Sequence, residues 1–135
     1  MTRARLQLAA DEHTVARVTS WTERFCTKQR LSRTVTNLVS LSLEEIVSNI
    51  VVHGYDRQPG SLSIELHYDR GMFSIVIEDK GKPFDPTQAM KPPRGDTLMS
   101  RSEGGLGLQL VKKLMDDIRY QRAGATNRLK LVKRL

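Results

Sequence analysis

Two runs of strict alternation, joined by a three-residue turn, constrain this chain more than any other feature. Leu62, Ile64, Leu66 and Tyr68 alternate with Ser61, Ser63, Glu65 and His67. After Asp69-Arg70-Gly71, the residues Phe73, Ile75 and Ile77 alternate with Ser74, Val76 and Glu78. A period of two sends successive side chains to opposite faces of a strand, so the pattern predicts a β-hairpin with one buried face. Such a hairpin is marginal alone and needs further strands and a layer over its apolar side.

The covering layer is written in a different period. Asp11 offers a helix N-cap with Glu12 in the first turn, and Val15, Val18, Trp21, Thr22 and Phe25 recur at helical spacing to about Arg30. Ser32 or Thr34 starts a second helix, whose stripe of Leu43, Ile46, Val47, Ile50 and Val51 ends at Gly54. Residues 3–8 alternate weakly, as an edge strand would. Residues 80–104 hold four of the five prolines and read as a long irregular loop, of the kind that is usually functional or mobile. A helix is expected at about 105–116, then strands at Ile118–Gln121 and near Leu129–Val132 with a turn around Gly124. The order β-α-α-β-β-loop-α-β-β is an α+β fold: two layers, with helices on one face of a mostly antiparallel, mixed sheet. The 135 residues suit one domain, 1–135, without internal repeats.

Charge is unevenly placed. The net +7 comes from the ends: residues 1–33 carry seven bases and three acids, and residues 112–135 carry eight bases and two acids. The middle, 34–111, carries seven bases and ten acids. Basic flanks attract nucleic acid or acidic protein surfaces. Here no aromatics are interleaved with the cations, so solvated faces are expected and direct nucleic-acid binding is not. Apolar runs of a few residues fall short of a membrane span, and acids interrupt the N-terminus before a signal core can form, so a cytoplasmic location is expected. The single Cys26 excludes an internal disulfide and a cysteine-rich metal site, and its helical setting predicts a plain buried thiol.

Three clusters offer chemistry. Glu45, Asn49 and His53, spaced i, i+4, i+8, line one polar helix face. They form either an ordinary solvated face or a metal–nucleotide site in which an amide oxygen ligates Mg²⁺ and a carboxylate polarises a hydroxyl. Glu78-Asp79-Lys80-Gly81-Lys82-Pro83-Phe84-Asp85 follows a strand. It is either a turn or a base-binding loop, with Asp79 accepting from an exocyclic amine and Gly81 admitting a flat ring. Glu103-Gly104-Gly105-Leu106-Gly107-Leu108 opens a helix, as a flexible loop or as a phosphate seat of exposed N–H groups. It lacks the Lys-Ser/Thr of a Walker A loop.

In order and spacing the three clusters resemble the N, G1 and G2 boxes of the GHKL superfamily of ATP-binding domains. "LSLEEIVSNIVVHGY", "EDKGKPFDP" and "GGLGLQLVKKLMDDIRYQ" are similar to the corresponding segments of the small anti-sigma-factor serine/threonine kinases, and "GATNRLKLVKRL" to their last turn and strand. The resemblance covers residues 6–134 and implies a GHKL (Bergerat) ATP-binding fold. It implies ATP and Mg²⁺ as cofactors, with Glu45 as general base and Asn49 as the metal ligand. It places the nucleotide against Asn49, His53, Asp79, Gly81, Pro83, Phe84, Gly104, Gly105, Leu106, Gly107 and Leu108, with Thr126 adding a water-mediated adenine contact and residues 87–104 forming an ATP lid. Relatives often carry a basic residue just before the glycine loop; here Glu103 stands nearest, leaving Arg101, or Arg94, to meet the γ-phosphate. The implied partners are a sigma factor or other regulated protein, an anti-anti-sigma antagonist as phosphorylation substrate, and a second copy in a homodimer. The alternative within the family is an ATP-dependent binding module without phosphotransfer.

Overall fold

A computed structural model of the protein describes residues 2–89 and 105–135. Strand β1 (Thr2–Ala9) is followed by helices α1 (Thr14–Lys28) and α2 (Arg33–Asn49), the latter continuing into a π-helical turn at Ile50–Gly54. The hairpin β2 (Ser61–Asp69) and β3 (Met72–Asp79) comes next, then a short helix α3 (Pro86–Ala89). Helix α4 (Gly105–Leu114) and the hairpin β4 (Asp117–Ala123) and β5 (Thr126–Arg134) complete the order. The five strands form one sheet in the order β1-β2-β3-β5-β4. Every pairing is antiparallel, so the mostly antiparallel sheet expected from the sequence is not mixed.

The alternation does what it predicts. Leu62, Ile64 and Leu66 of β2, Phe73, Ile75 and Ile77 of β3, and Leu129 and Leu131 of β5 are buried together beneath the helices. Register aligns them in rows: Ile64 opposite Ile77, Ile77 opposite Leu129, and Ile75 opposite Leu131. Burying each such side chain contributes about 1.5–3 kcal/mol. Val39, Leu43 and Val47 of α2 are fully buried in the same core, and α2 packs against both α1 and α4. Phe25 of α1 meets Phe73 edge-on at 5.8 Å.

Element ends differ from expectation in instructive ways. Asp11 does not cap α1 directly; its carboxylate accepts from the His13 N–H at 2.7 Å, and the helix begins at Thr14. Ser32 is the cap of α2, its hydroxyl accepting from the Val35 N–H at 3.1 Å. The segment taken as loop from residue 80 contains α3, started by Asp85, whose carboxylate accepts from the Thr87 N–H at 2.9 Å. The expectation that no stretch reaches membrane-span length also needs correction. Arg33–Gly54 is a 22-residue helical stretch containing an 18-residue window of mean hydropathy 1.4, long and apolar enough by composition. Its Thr, Ser and Asn residues break up the apolar runs in the sequence, and several of them (Thr36, Ser40, Ser42 and Asn49) are themselves buried.

Candidate functional site

One pocket opens between α2 and the end of β3. Its walls are largely apolar, from Ile46, Ile50, Ile77, Phe84 and Leu129, and its polar side chains are Asn49, Asp79, Lys82, Tyr120 and Asn127. Asp79 reaches it by parity: it is next in the inward series Phe73, Ile75, Ile77, so the strand that builds the core also delivers a carboxylate at the core's edge. Asp79 is 7% exposed, and its Oδ1 accepts from the Gly81 N–H at 2.8 Å and from Asn127 Nδ2 at 3.0 Å. Both bonds fall on one oxygen, which leaves Oδ2 as the acceptor for a ligand.

Glu45 and Asn49 sit one turn apart on α2. The Asn49 Nδ2 donates to the Glu45 carbonyl at 2.7 Å, which fixes the carboxamide and leaves its Oδ1 as the ligating atom. Burial, reinforced by the neighbouring Glu44 carboxylate, holds the Glu45 carboxyl above its ordinary range. The Glu45 carboxylate lies against Gly107 of α4 so closely that a side chain at that position would overlap it. The first and third sequence clusters are therefore in contact.

His53 does not extend the Glu45–Asn49 row. The π turn closes an i→i+5 bond from the Tyr55 N–H to the Ile50 carbonyl, which changes the phase of the helix after Asn49. His53 is exposed and stacks on Phe84 with ring centroids 5.9 Å apart and planes 26° from parallel. The same turn presents the Gly54 carbonyl to the Lys82 N–H at 2.9 Å. This explains Gly81 differently from the sequence: a Cβ there would come within 2.7 Å of the Gly54 oxygen. The glycine is required by the neighbouring backbone.

The remaining candidates are distributed as follows. Pro83 is exposed on the loop, Leu108 is a core residue at 1% exposure, and Gly105 and Leu106 begin α4. Arg101 and Gly104, with Arg94, Glu103 and the lid from residue 90 to 104, lie outside the described residues. Thr126 is on the opposite side of the sheet, beside Arg5, Ser63 and Glu78.

Asn127 holds the place expected of Thr126. It is paired with Asp79 in register and is 5% exposed. Counting back by twos from Leu131 and Leu129 reaches it, and that parity was the available signal. Its Nδ2 also donates to the Gly81 and Lys82 carbonyls at 3.1 and 3.2 Å, while its Oδ1 accepts from Arg122 Nη1 at 2.9 Å and from the Tyr120 hydroxyl. Tyr55 was missed as well; its hydroxyl accepts from the Lys80 N–H at 2.8 Å and donates to the Ser61 carbonyl.

Comparisons with known proteins identify the family. Residues 8–133 match the family model described as the histidine kinase-like ATPase domain. The chain is 32% identical over 127 residues to the serine/threonine-protein kinase BtrW of Bordetella bronchiseptica, covering 93% of this chain and 89% of that protein. It is 31% identical over 88 residues to the serine-protein kinase RsbW of Bacillus subtilis, covering 62% of this chain and 55% of the relative. It is 28% identical over 78 residues to the anti-sigma F factor of Halalkalibacterium halodurans, covering 57% and 53%. The matches to these last two thus span about half of each relative. In fold, the whole chain superposes with TM-score 0.73 and 15% identity on 32% of a solved chain containing the RsbU and RsbW domains of Rv1364c from Mycobacterium tuberculosis. The chain belongs to the histidine kinase-like (GHKL) ATPase domain family, and its kin there are the anti-sigma-factor serine/threonine kinases.

Proposed function

We propose that the chain binds Mg²⁺-ATP in the pocket beside Asp79 and transfers the γ-phosphoryl group to a serine or threonine of a protein partner. The observation that carries this is the contact between Glu45 and Gly107, which sets a carboxylate of raised pKa beside the start of α4. Helix starts favour anionic groups, so α4 is a fitting seat for phosphates. The apolar walls suit a flat base, and Asp79 Oδ2 accepts from its exocyclic amino group.

The residues fit the cation. Among the described residues no three His, Cys, Asp or Glu side chains cluster for a metal. A hard ion that keeps waters and phosphate ligands needs only one protein oxygen, and Asn49 Oδ1 supplies it. Bound Mg²⁺ neutralises charge developing on the phosphates. Glu45 takes the hydroxyl proton of the partner as that oxygen bonds to the γ-phosphorus and the bond to the β-phosphate oxygen breaks, releasing ADP. A carboxyl with raised pKa is the better base for that step.

The partners we assign follow the relatives: a small antagonist as phosphoacceptor, a sigma factor or other regulated protein held in the alternate state, and a second copy of the chain in a homodimer. The whole is a single domain acting in the cytoplasm, closed by a lid over residues 87–104 that carries Arg101. Incubation with γ-labelled ATP and a candidate small antagonist protein should place label on the antagonist. Glu45→Ala should abolish the label while ATP binding persists, and Asp79→Asn should abolish binding. Tight ATP-dependent association without label would sink the kinase reading.

A further inference from the structure

The geometry points to Arg122 as a specificity-determining residue for the base, acting through Asn127; the inference rests on the nucleotide reading of the pocket. Arg122 is not among the side chains that line the pocket. It is half-buried on β4, directly opposite Asn127 in the β4–β5 register. Its Nη1 donates to Asn127 Oδ1 at 2.9 Å and to the Gly81 carbonyl at 3.1 Å.

A carboxamide has two ends of nearly equal shape and opposite hydrogen-bonding character. Which end faces Asp79 decides whether that carboxylate is supported by a donor or confronted by an oxygen. Tyr120 does not decide this, because a hydroxyl can donate or accept. A guanidinium has donors only, so Arg122 holds the amide oxygen toward itself. The Gly81 and Lys82 carbonyls, which only accept, act in concert with it and hold the Nδ2 on the Asp79 side. Asp79 Oδ1 is then occupied by Asn127 and Gly81, and Oδ2 is held at one position as the acceptor facing the base. Asp79, an acceptor, favours a purine carrying an amino group at its edge over one carrying a carbonyl there. Arg122 sharpens that preference by holding Asn127, and through it the carboxylate, in one position. Arg122 is a positioning residue and touches no nucleotide.

The test compares ATP with inosine triphosphate, which replaces the 6-amino group by a carbonyl and keeps the ribose and phosphates. Affinities of the full chain for both are measured with Mg²⁺ by calorimetry or by competition with a fluorescent nucleotide. The unsubstituted chain should prefer ATP by about tenfold or more, as sites built to hydrogen-bond a polar group do. Arg122→Met keeps the aliphatic stem and should shrink that ratio about fivefold, chiefly by weakening ATP, because a buried acceptor loses its fixed donor. Asn127→Asp, which cannot donate to Asp79, should lose the preference as well. An equal loss of affinity for both nucleotides, leaving the ratio intact, is what a purely structural Arg122 would give and would overturn the proposal. An unsubstituted chain that binds neither nucleotide would instead overturn the nucleotide reading and this proposal with it.

Discussion

The Glu45 carboxylate rests on the backbone of Gly107, joining the second helix to the start of the fourth. Gly107→Ala separates stability from function at this contact. A methyl group there overlaps the carboxylate, which is the free end of a flexible side chain and swings away at little cost. Alanine in a helix is meanwhile favoured over glycine by up to about 1 kcal/mol. Thermal unfolding should therefore be unchanged or shifted upward, while phosphoryl transfer falls about tenfold or more from displacement of the base. Combining it with Glu45→Ala should add no further loss, since both changes act through one group.

Glu45→Gln should reveal the cost of holding a charge at this position. Burial raises the folded pKa of Glu45 above its ordinary 4.5, so the folded chain holds the proton more tightly than the unfolded one. Stability from this group is therefore present below the unfolded value and declines as pH rises through the folded one. The glutamine variant should melt higher than the parent at pH 7 and at the same temperature near pH 4. A melting difference that grows toward acid would contradict the assigned sign. The parent's transfer rate should fall on acidification at a pH above that of an unperturbed carboxylate.

Gly81→Ala should behave oppositely to Gly107→Ala. The added Cβ meets the Gly54 carbonyl at 2.7 Å, and neither partner is a flexible side chain. Relieving the overlap shifts the loop that follows Asp79, at about 1–3 kcal/mol of stability by urea denaturation. ATP affinity should fall in parallel, because the same loop supplies a donor to Asp79.

Cys26 should be silent toward thiol reagents. It is fully buried, and burial pushes its thiol up to about 11 despite the opposing effect of the adjacent Thr36 hydroxyl. Alkylation at pH 8 should proceed at the rate of global opening, and one thiol per chain should become reactive in denaturing urea. Fast labelling of the native chain would show that α1 opens locally.

The legible parts of this molecule were those whose signal is local. The period of Leu62 to Ile77 and the stripe from Leu43 to Val47 each specify an element and its buried face, and Asp79 inherits its direction from the same count. Asn127 escaped because the residues around Gly124 read as turn, so the last strand was started near Leu129, three residues late. One residue of parity separates Asn127 in the pocket from Thr126 on the far side. The π turn escaped because nothing in Ile50-Val51-Val52-His53-Gly54 distinguishes it from an α-helix. It accompanies a tertiary bond, from the Lys82 N–H to the Gly54 carbonyl, between residues far apart in sequence. Gly81 was legible as necessary, and the reason for it was not.

That π turn carries a consequence for how the chain can change over time. It is one residue wider than an α-turn, and everything beyond it is set by that surplus. Loss of a single residue between Asn49 and Tyr55 would restore a regular helix and rotate the Gly54 carbonyl by about 100° away from the loop it secures. The side chains of Val51 and Val52 are free to drift among apolar types. The length of the turn is not, and lineages sharing this site should show many substitutions at those two positions and almost no insertions or deletions.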